Sequence, residues 1–183
     1  DDPTGAAAGR IRLGETPVAQ FLGVGGFAEE ILLSENAAVV IDRSMPLDKA
    51  SLLGCAVLTG FGAAEKAAGV RVGDEVAVFG CGGVGLNIVQ TARRLGARTI
   101  VAVDLDDSKL ELARRFGATH TLRGDAPDLH KEIRALTVER QGVDFSFDAV
   151  GNVEIARIAY TSICKGGEVV LAMWSIIVVN IWR

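Results

Sequence analysis

Four glycines fall within six consecutive positions, Gly80, Gly82, Gly83 and Gly85 in "VFGCGGVGL", between two apolar runs. Glycine is unfavourable inside a strand or a helix, so such a cluster marks a turn with no room for side chains. The run before it, in "GDEVAVFG", reads as a buried strand. The run after it places Val84, Ile88, Ala92 and Leu95 on one helical face, with Gly96 as the C-terminal cap. The glycines spell G-x-G-x-x-G at a strand-to-helix junction, and that context lifts the pattern above chance. There Gly80 allows a sharp turn, Gly82 lets backbone approach a pyrophosphate, and Gly85 lets the helix lie close to the sheet. The helix start offers free N–H groups and the positive end of its dipole to phosphates. Cys81, inside the loop with no base nearby in sequence, reads as a small filler.

The same alternation continues. "RTIVAVDL" predicts a second strand, Ser108 to Phe116 a helix capped by Gly117, and "THTLR" a short third strand. Leu129 to Arg140 predicts a charged helix, "VDFSFDAVG" a fourth strand, Val153 to Cys164 a helix and "GEVVLAM" a fifth strand. Strands alternating with helices of this length predict an α/β fold, a Rossmann-type doubly wound parallel sheet with right-handed crossovers. The second strand ends at Asp104, nineteen residues past Gly85. An acidic side chain at that place accepts hydrogen bonds from an adenosine ribose and repels a 2′-phosphate, so the expected cofactor is NAD rather than NADP. Lys109, five residues on, is placed to reach the same ribose.

The flanks are less regular. The first ten residues read as a loose terminus, and "FAEEILLSENAAVVI", Phe27 to Ile41, as two short strands joined by a turn. Pro46 opens a helix with Leu47, Ala50, Leu53 and Val57 on one face. "WSIIVVNIWR", Trp174 to Arg183, leaves no room for a crossover helix; it either prolongs the fifth strand or folds back beside it. Hydrophobic residues make up 49% of the 183 and aromatics only 5%, an Ala, Val, Leu and Ile composition suited to α/β layering. A formal net charge of −4 argues against nucleic acid as a partner. No apolar sequence run reaches the roughly 18 residues of a membrane span and no signal peptide is read at the start, so no membrane association is expected. Three scattered cysteines without a CxxC pair favour a reduced, cytoplasmic setting.

From Phe21 to Ala172 the sequence resembles the zinc-dependent, medium-chain alcohol dehydrogenases, through "FAEEILLSENAAVVIDRSMPLDKASLLGCAVLTGFGA" and "VRVGDEVAVFGCGGVGLNIVQTARRLGARTIVAVDLDDSKLELARRFGATH". The resemblance implies residues 1–57 as a β-rich remnant of a GroES-like catalytic domain and 58–173 as an NAD-binding Rossmann domain. Residues 174–183 stay an unassigned hydrophobic tail. It also implies oxidation of a small alcohol to an aldehyde or ketone, by hydride transfer to NAD beside a catalytic zinc. Cys55 matches the family's last catalytic zinc ligand. Thr59 and Val84 match positions lining the nicotinamide, and Gly80, Gly82, Gly83, Gly85, Asp104 and Lys109 match the adenosine and pyrophosphate site. Val150, Gly151, Leu171 and Ala172 fall where the fourth and fifth strands end over the cofactor.

The family's other zinc ligands, its "GHE" motif and its four-cysteine lobe have no counterpart here, and His120 and His130 lie too far away to replace them. The expectation is therefore the middle portion of a dehydrogenase, and the resemblance implies that its complete form is a homo-oligomer. Two alternatives stand beside it: a zinc-free, NADPH-using quinone-reductase type, against which Cys55 and Asp104 argue, and a non-enzymatic NAD-binding module.

Overall fold

The computed structural model describes residues 11–18, 28–31, 35–172 and 176–180, and the chain divides into two compact units, Asp1–Met45 and Pro46–Arg183. In the first unit, strand β1 (Ile11–Leu13) pairs antiparallel with β2 (Thr16–Val18), matching Ile11 to Val18 and Leu13 to Thr16. The strands expected within Phe27–Ile41 are absent among the described residues of that stretch. Glu35–Ala37 forms a single 3-10 turn, and residues 38–41 join no ladder. A strand needs a neighbour for its N–H and C=O groups, and Val39 and Val40, 88% and 98% exposed, pair with no strand among the described residues.

The second unit opens on helix α1 (Leu47–Ala67), with Pro46 at its N-cap. Two of its turns are widened, with Val57 N–H donating to the Leu52 carbonyl at 3.2 Å and Ala68 N–H to that of Ala63 at 3.0 Å. By length and composition alone this helix is long and apolar enough to cross a membrane. Little of it is buried, and only its small-residue side around Gly60, Ala63 and Ala64 packs within the unit. A Cβ on Gly60 would stand 2.5 Å from Asn87 Cβ and 2.7 Å from the Val84 carbonyl oxygen. Ala63 and Ala64 are fully buried, whereas Leu47 and Leu53 of the expected apolar face remain exposed. The widened turns and the small-residue side, rather than the leucine stripe, decide which face packs.

Six strands follow: β3 (Glu75–Phe79), β4 (Thr99–Asp104), β5 (His120–Arg123), β6 (Val143–Asp148), β7 (Ile163–Ala172) and β8 (Ile176–Asn180). They form one sheet in the order β5-β4-β3-β6-β7-β8. The first five are mutually parallel, and β8 runs antiparallel against β7. Of the two courses open to the tail, residues 176–180 take the fold-back. Helices α2 (Gly83–Leu95), α3 (Asp107–Phe116), α4 (Leu129–Ala135) and α5 (Val153–Ser162) make the crossovers. Alternating strand residues divide the core. Val76, Val78, Ile100, Ala102 and Phe147 pack under α1, α2 and α3, while Ala77, Phe79, Val101 and Val103 pack under α4 and α5.

Gly96 and Gly117 end α2 and α3 in the left-handed conformation, at φ 86° and 111°. Two expected helices stop early. α4 ends at Ala135 because Thr137 turns extended, its Oγ1 donating to the Arg134 carbonyl at 2.7 Å and accepting from Gly142 N–H at 3.0 Å. α5 ends at Ser162 because β-branched Ile163 is already extended and paired with Val143, which places Cys164 on a strand.

Candidate functional site

The chain leaves β3 toward β4 and β5, then returns to place β6 on the other side of β3. Crossovers diverging in this way leave a crevice beyond the C-terminal strand ends, where ligands of open α/β sheets bind. A cavity of about 510 Å³ occupies that place. Its floor is Gly80 and Gly82, one wall is Asp104, Leu105, Asp106 and Lys109, and the opposite wall is Ala149, Val150, Asn152 and Ile155.

Each glycine has a separate physical role. Gly80 sits at φ 89° and donates its N–H to the Val103 carbonyl at 2.8 Å, which folds the loop back over the end of β4. A Cβ on Gly85 would stand 1.7 Å from the Gly80 carbonyl oxygen, so the helix can lie this close only without one. Gly82 is the opposite case: nothing lies within 4 Å of where its Cβ would be. It is the N-cap of α2 and carries no capping side chain, so the first-turn N–H groups of the helix have no partner within the helix. The result is an open concavity rimmed by backbone donors, of a shape and polarity that fit a pyrophosphate.

Asp104 closes one end. Its Oδ2 accepts the Cys81 N–H at 2.7 Å, and its Oδ1 accepts the Asp106 N–H at 3.0 Å and lies 4.0 Å from Lys109 Nζ. The carboxyl is thus fixed across the glycine loop. Asp106 in turn caps α3, accepting from Ser108 N–H at 2.8 Å, and the two Ser108 hydrogen bonds hold its pKa below the ordinary carboxyl value. Cys81 is buried, and desolvation, followed by the nearby Asp104 charge, pushes its thiol up to about 12. That thiol packs; it does not attack. On the far wall, Asp148 at the end of β6 accepts the N–H groups of Val150 at 2.8 Å and Gly151 at 3.0 Å on one oxygen, Oδ1.

Of the residues singled out in the sequence, the cavity gathers Gly80, Gly82, Asp104, Lys109 and Val150. Gly83, Val84 and Gly85 form the first turn of α2 beside it, Gly151 follows Val150 in the loop, and Leu171 and Ala172 end β7. Cys55 and Thr59 lie on α1, Cys55 exposed and Thr59 half-buried. That segment borders the glycine loop, since a Cβ on Gly83 would stand 3.1 Å from Ala56 Cβ. Sequence reasoning passed over Leu105, Asp106, Ala149, Asn152 and Ile155. Their signal was their place, directly after the ends of two central strands. Among the described residues no three His, Cys, Asp or Glu side chains stand together to hold a metal. Cys55 by itself does not make a zinc site, which needs three protein ligands.

Residues 83–173 match the family model described as zinc-binding dehydrogenase. The chain is 43% identical over 150 residues to S-(hydroxymethyl)glutathione dehydrogenase of Saccharomyces cerevisiae, covering 80% of this chain and 39% of the yeast protein. Among solved structures, benzyl alcohol dehydrogenase from Acinetobacter calcoaceticus superposes with a TM-score of 0.77 at 32% identity, covering 81% of this chain and 41% of that one. An alcohol dehydrogenase zinc-binding domain protein from Burkholderia ambifaria gives a TM-score of 0.77 at 34% identity, covering 84% and 41%. The chain thus spans about two-fifths of the length of these relatives. The chain belongs to the zinc-dependent medium-chain alcohol dehydrogenase family.

Proposed function

We propose that this chain carries the NAD-binding portion of an enzyme that oxidises a small alcohol to an aldehyde or ketone. The observation that carries the reading is the open concavity at Gly82, set between the helix start and the fixed carboxyl of Asp104. The unpaired N–H groups of the first turn of α2 hold the pyrophosphate. Asp104 accepts the hydroxyls of the adenosine ribose, with Lys109 beside it, and its negative charge disfavours a 2′-phosphate. Leu105 and Val150, both exposed on facing walls, offer apolar surface to the adenine. NAD, when bound, supplies the hydride acceptor; the chain's own contribution is to orient it and to hold its charge.

Thr59 and Val84, near the glycine loop, and Leu171 and Ala172, at the end of β7, are assigned to the nicotinamide end. Cys55 is assigned as one zinc ligand, the others coming from parts of the enzyme outside this chain. The relatives' names, S-(hydroxymethyl)glutathione and benzyl alcohol, share a CH2OH group, which favours a primary alcohol as substrate class. The complete enzyme is proposed to be a homo-oligomer. A second reading applies to the chain alone: with no group of three potential metal ligands among the described residues, it is an NAD-binding module without turnover. Titration of the chain with NAD and NADP, each repeated with Asp104→Gly, tests the cofactor assignment. Equal or tighter binding of NADP by the unmodified chain overturns it.

A further inference from the structure

Asp148 is a carboxyl-bearing residue at the C-terminal end of a central strand, β6, in a hydrophobic sheet. It lies opposite Phe79 of β3 on one side and Leu171 of β7 on the other, and none of it is exposed. Its Oδ2 has no hydrogen-bond partner among the described residues, and neither has the buried Oγ of Ser146, two positions earlier on the same face of β6. A buried polar oxygen without a partner is destabilising by an amount comparable to a lost hydrogen bond or more. For sheet stability alone, an apolar residue would serve better at this position.

The other oxygen accounts for the aspartate. Oδ1 accepts both Val150 N–H and Gly151 N–H, two successive donors that have turned out of the ladder after Ala149 N–H makes its last strand bond to the Phe79 carbonyl at 2.9 Å. This double acceptance folds the loop tightly, with Gly151 at φ 87°, and directs Val150 across the crevice. Val150 Cγ2 stands 2.8 Å from where a Gly80 Cβ would be, so the loop is seated directly on the glycine turn. Val150, Asn152 and Ile155, all downstream of this pivot, make the cavity wall facing Asp104.

We propose that Asp148 is a positioning residue for nucleotide binding: through Oδ1 it holds the 149–152 loop as the adenosine-side wall of the crevice. It touches no reacting atom and acts through Val150. This inference rests on the nucleotide reading above. The test compares the unmodified chain with Asp148→Ala, which removes the acceptor, and Asp148→Asn, which keeps an oxygen at the same reach. AMP and NAD are titrated calorimetrically, amide exchange of Val150 and Gly151 is followed by NMR, and thermal unfolding is recorded for each protein.

Expected are protected amides and full binding in the unmodified chain and in the Asn variant. The Ala variant should show fast-exchanging amides and about tenfold weaker AMP binding per folded molecule, the size of one or two lost hydrogen bonds. If the Ala variant does not fold, Asp148→Thr replaces it; its single shorter acceptor should give an intermediate loss. AMP binding unchanged in a folded Ala or Thr variant overturns the proposal, as does loss of binding in the Asn variant equal to that in Ala. A purely structural aspartate would lower the unfolding temperature and leave binding per folded molecule unmoved. An unmodified chain that binds neither AMP nor NAD refutes the nucleotide reading itself and this proposal with it. Binding that persists without Asp148 refutes only the role of Asp148.

Discussion

Gly82 and Gly85 lie three positions apart in one motif and fail in opposite ways when a methyl group is added. At Gly85 the new Cβ meets the Gly80 carbonyl oxygen at 1.7 Å, backbone against backbone, so the start of α2 must lift from the turn. Gly85→Ala is expected to destabilise the fold by about 3 kcal/mol or more, at the upper end of overpacking costs, and a urea melt measures it. At Gly82 the new Cβ enters open space, so Gly82→Ala should keep its unfolding midpoint within experimental error while losing NAD affinity at least about tenfold. A Gly82→Ala chain that binds NAD normally would show that the concavity does not hold the pyrophosphate. Cys81 carries a pH prediction. Its thiol is pushed up to about 12 in the folded chain from an unfolded value of 9.0, so above pH 9 the folded state binds more protons than the unfolded state. Its contribution to stability is therefore whole below pH 9 and lost as pH rises toward 12. The corresponding chemistry is slow alkylation: iodoacetamide at pH 8 should label exposed Cys55 rapidly and Cys81 only on unfolding. Comparable labelling of both in the folded chain would contradict the burial of Cys81.

At the scale of elements, the seam between α1 and α2 depends on Gly60. Gly60→Ala places a methyl group 2.5 Å from Asn87 Cβ, and the expected cost is about 1–3 kcal/mol in an equilibrium melt, with α1 displaced rather than unfolded. An unchanged midpoint would show that the seam is loose. The sequence made the central elements legible because two signals coincide there: short continuous apolar runs, as in strands buried on both faces, and helices closed by Gly96 and Gly117. Where it misled, a local contact prevailed over the pattern. The helix expected to reach Arg140 stops at Ala135 because Thr137 hydrogen-bonds back to Arg134, while buried Glu75 takes the Val138 N–H at 3.2 Å. The leucines of α1 have helical spacing, yet the Gly60–Ala64 side packs, since spacing shows that a helix has a face and not which neighbour covers it. The strands expected within Phe27–Ile41 need partners that no short window of sequence reveals.

At the scale of the whole molecule, the floor and the Asp104 wall of the crevice could be read from the motif and the strand after it, because each is local in sequence. The opposite wall could not. Ala149, Asn152 and Ile155 face Asp104 only because the strand order places β6 beside β3, a long-range fact without a short signature. The zinc assigned above to Cys55 was likewise not legible as a site, since no cluster of three potential ligands surrounds it among the described residues. Binding and turnover are therefore expected to separate in this chain. With NAD, zinc and benzyl alcohol, the chain alone should show no NADH formation above a control lacking protein, and turnover abolished by Cys55→Ala would contradict this separation. Whether the crevice takes NAD is read by a pair of calorimetric titrations of the unmodified chain, one with NAD and one with NADP. One NAD per chain is expected, with NADP weaker by about tenfold or more and a narrowed gap in Asp104→Gly. NADP binding as tightly as NAD, or a preference untouched by Asp104→Gly, would contradict the NAD reading.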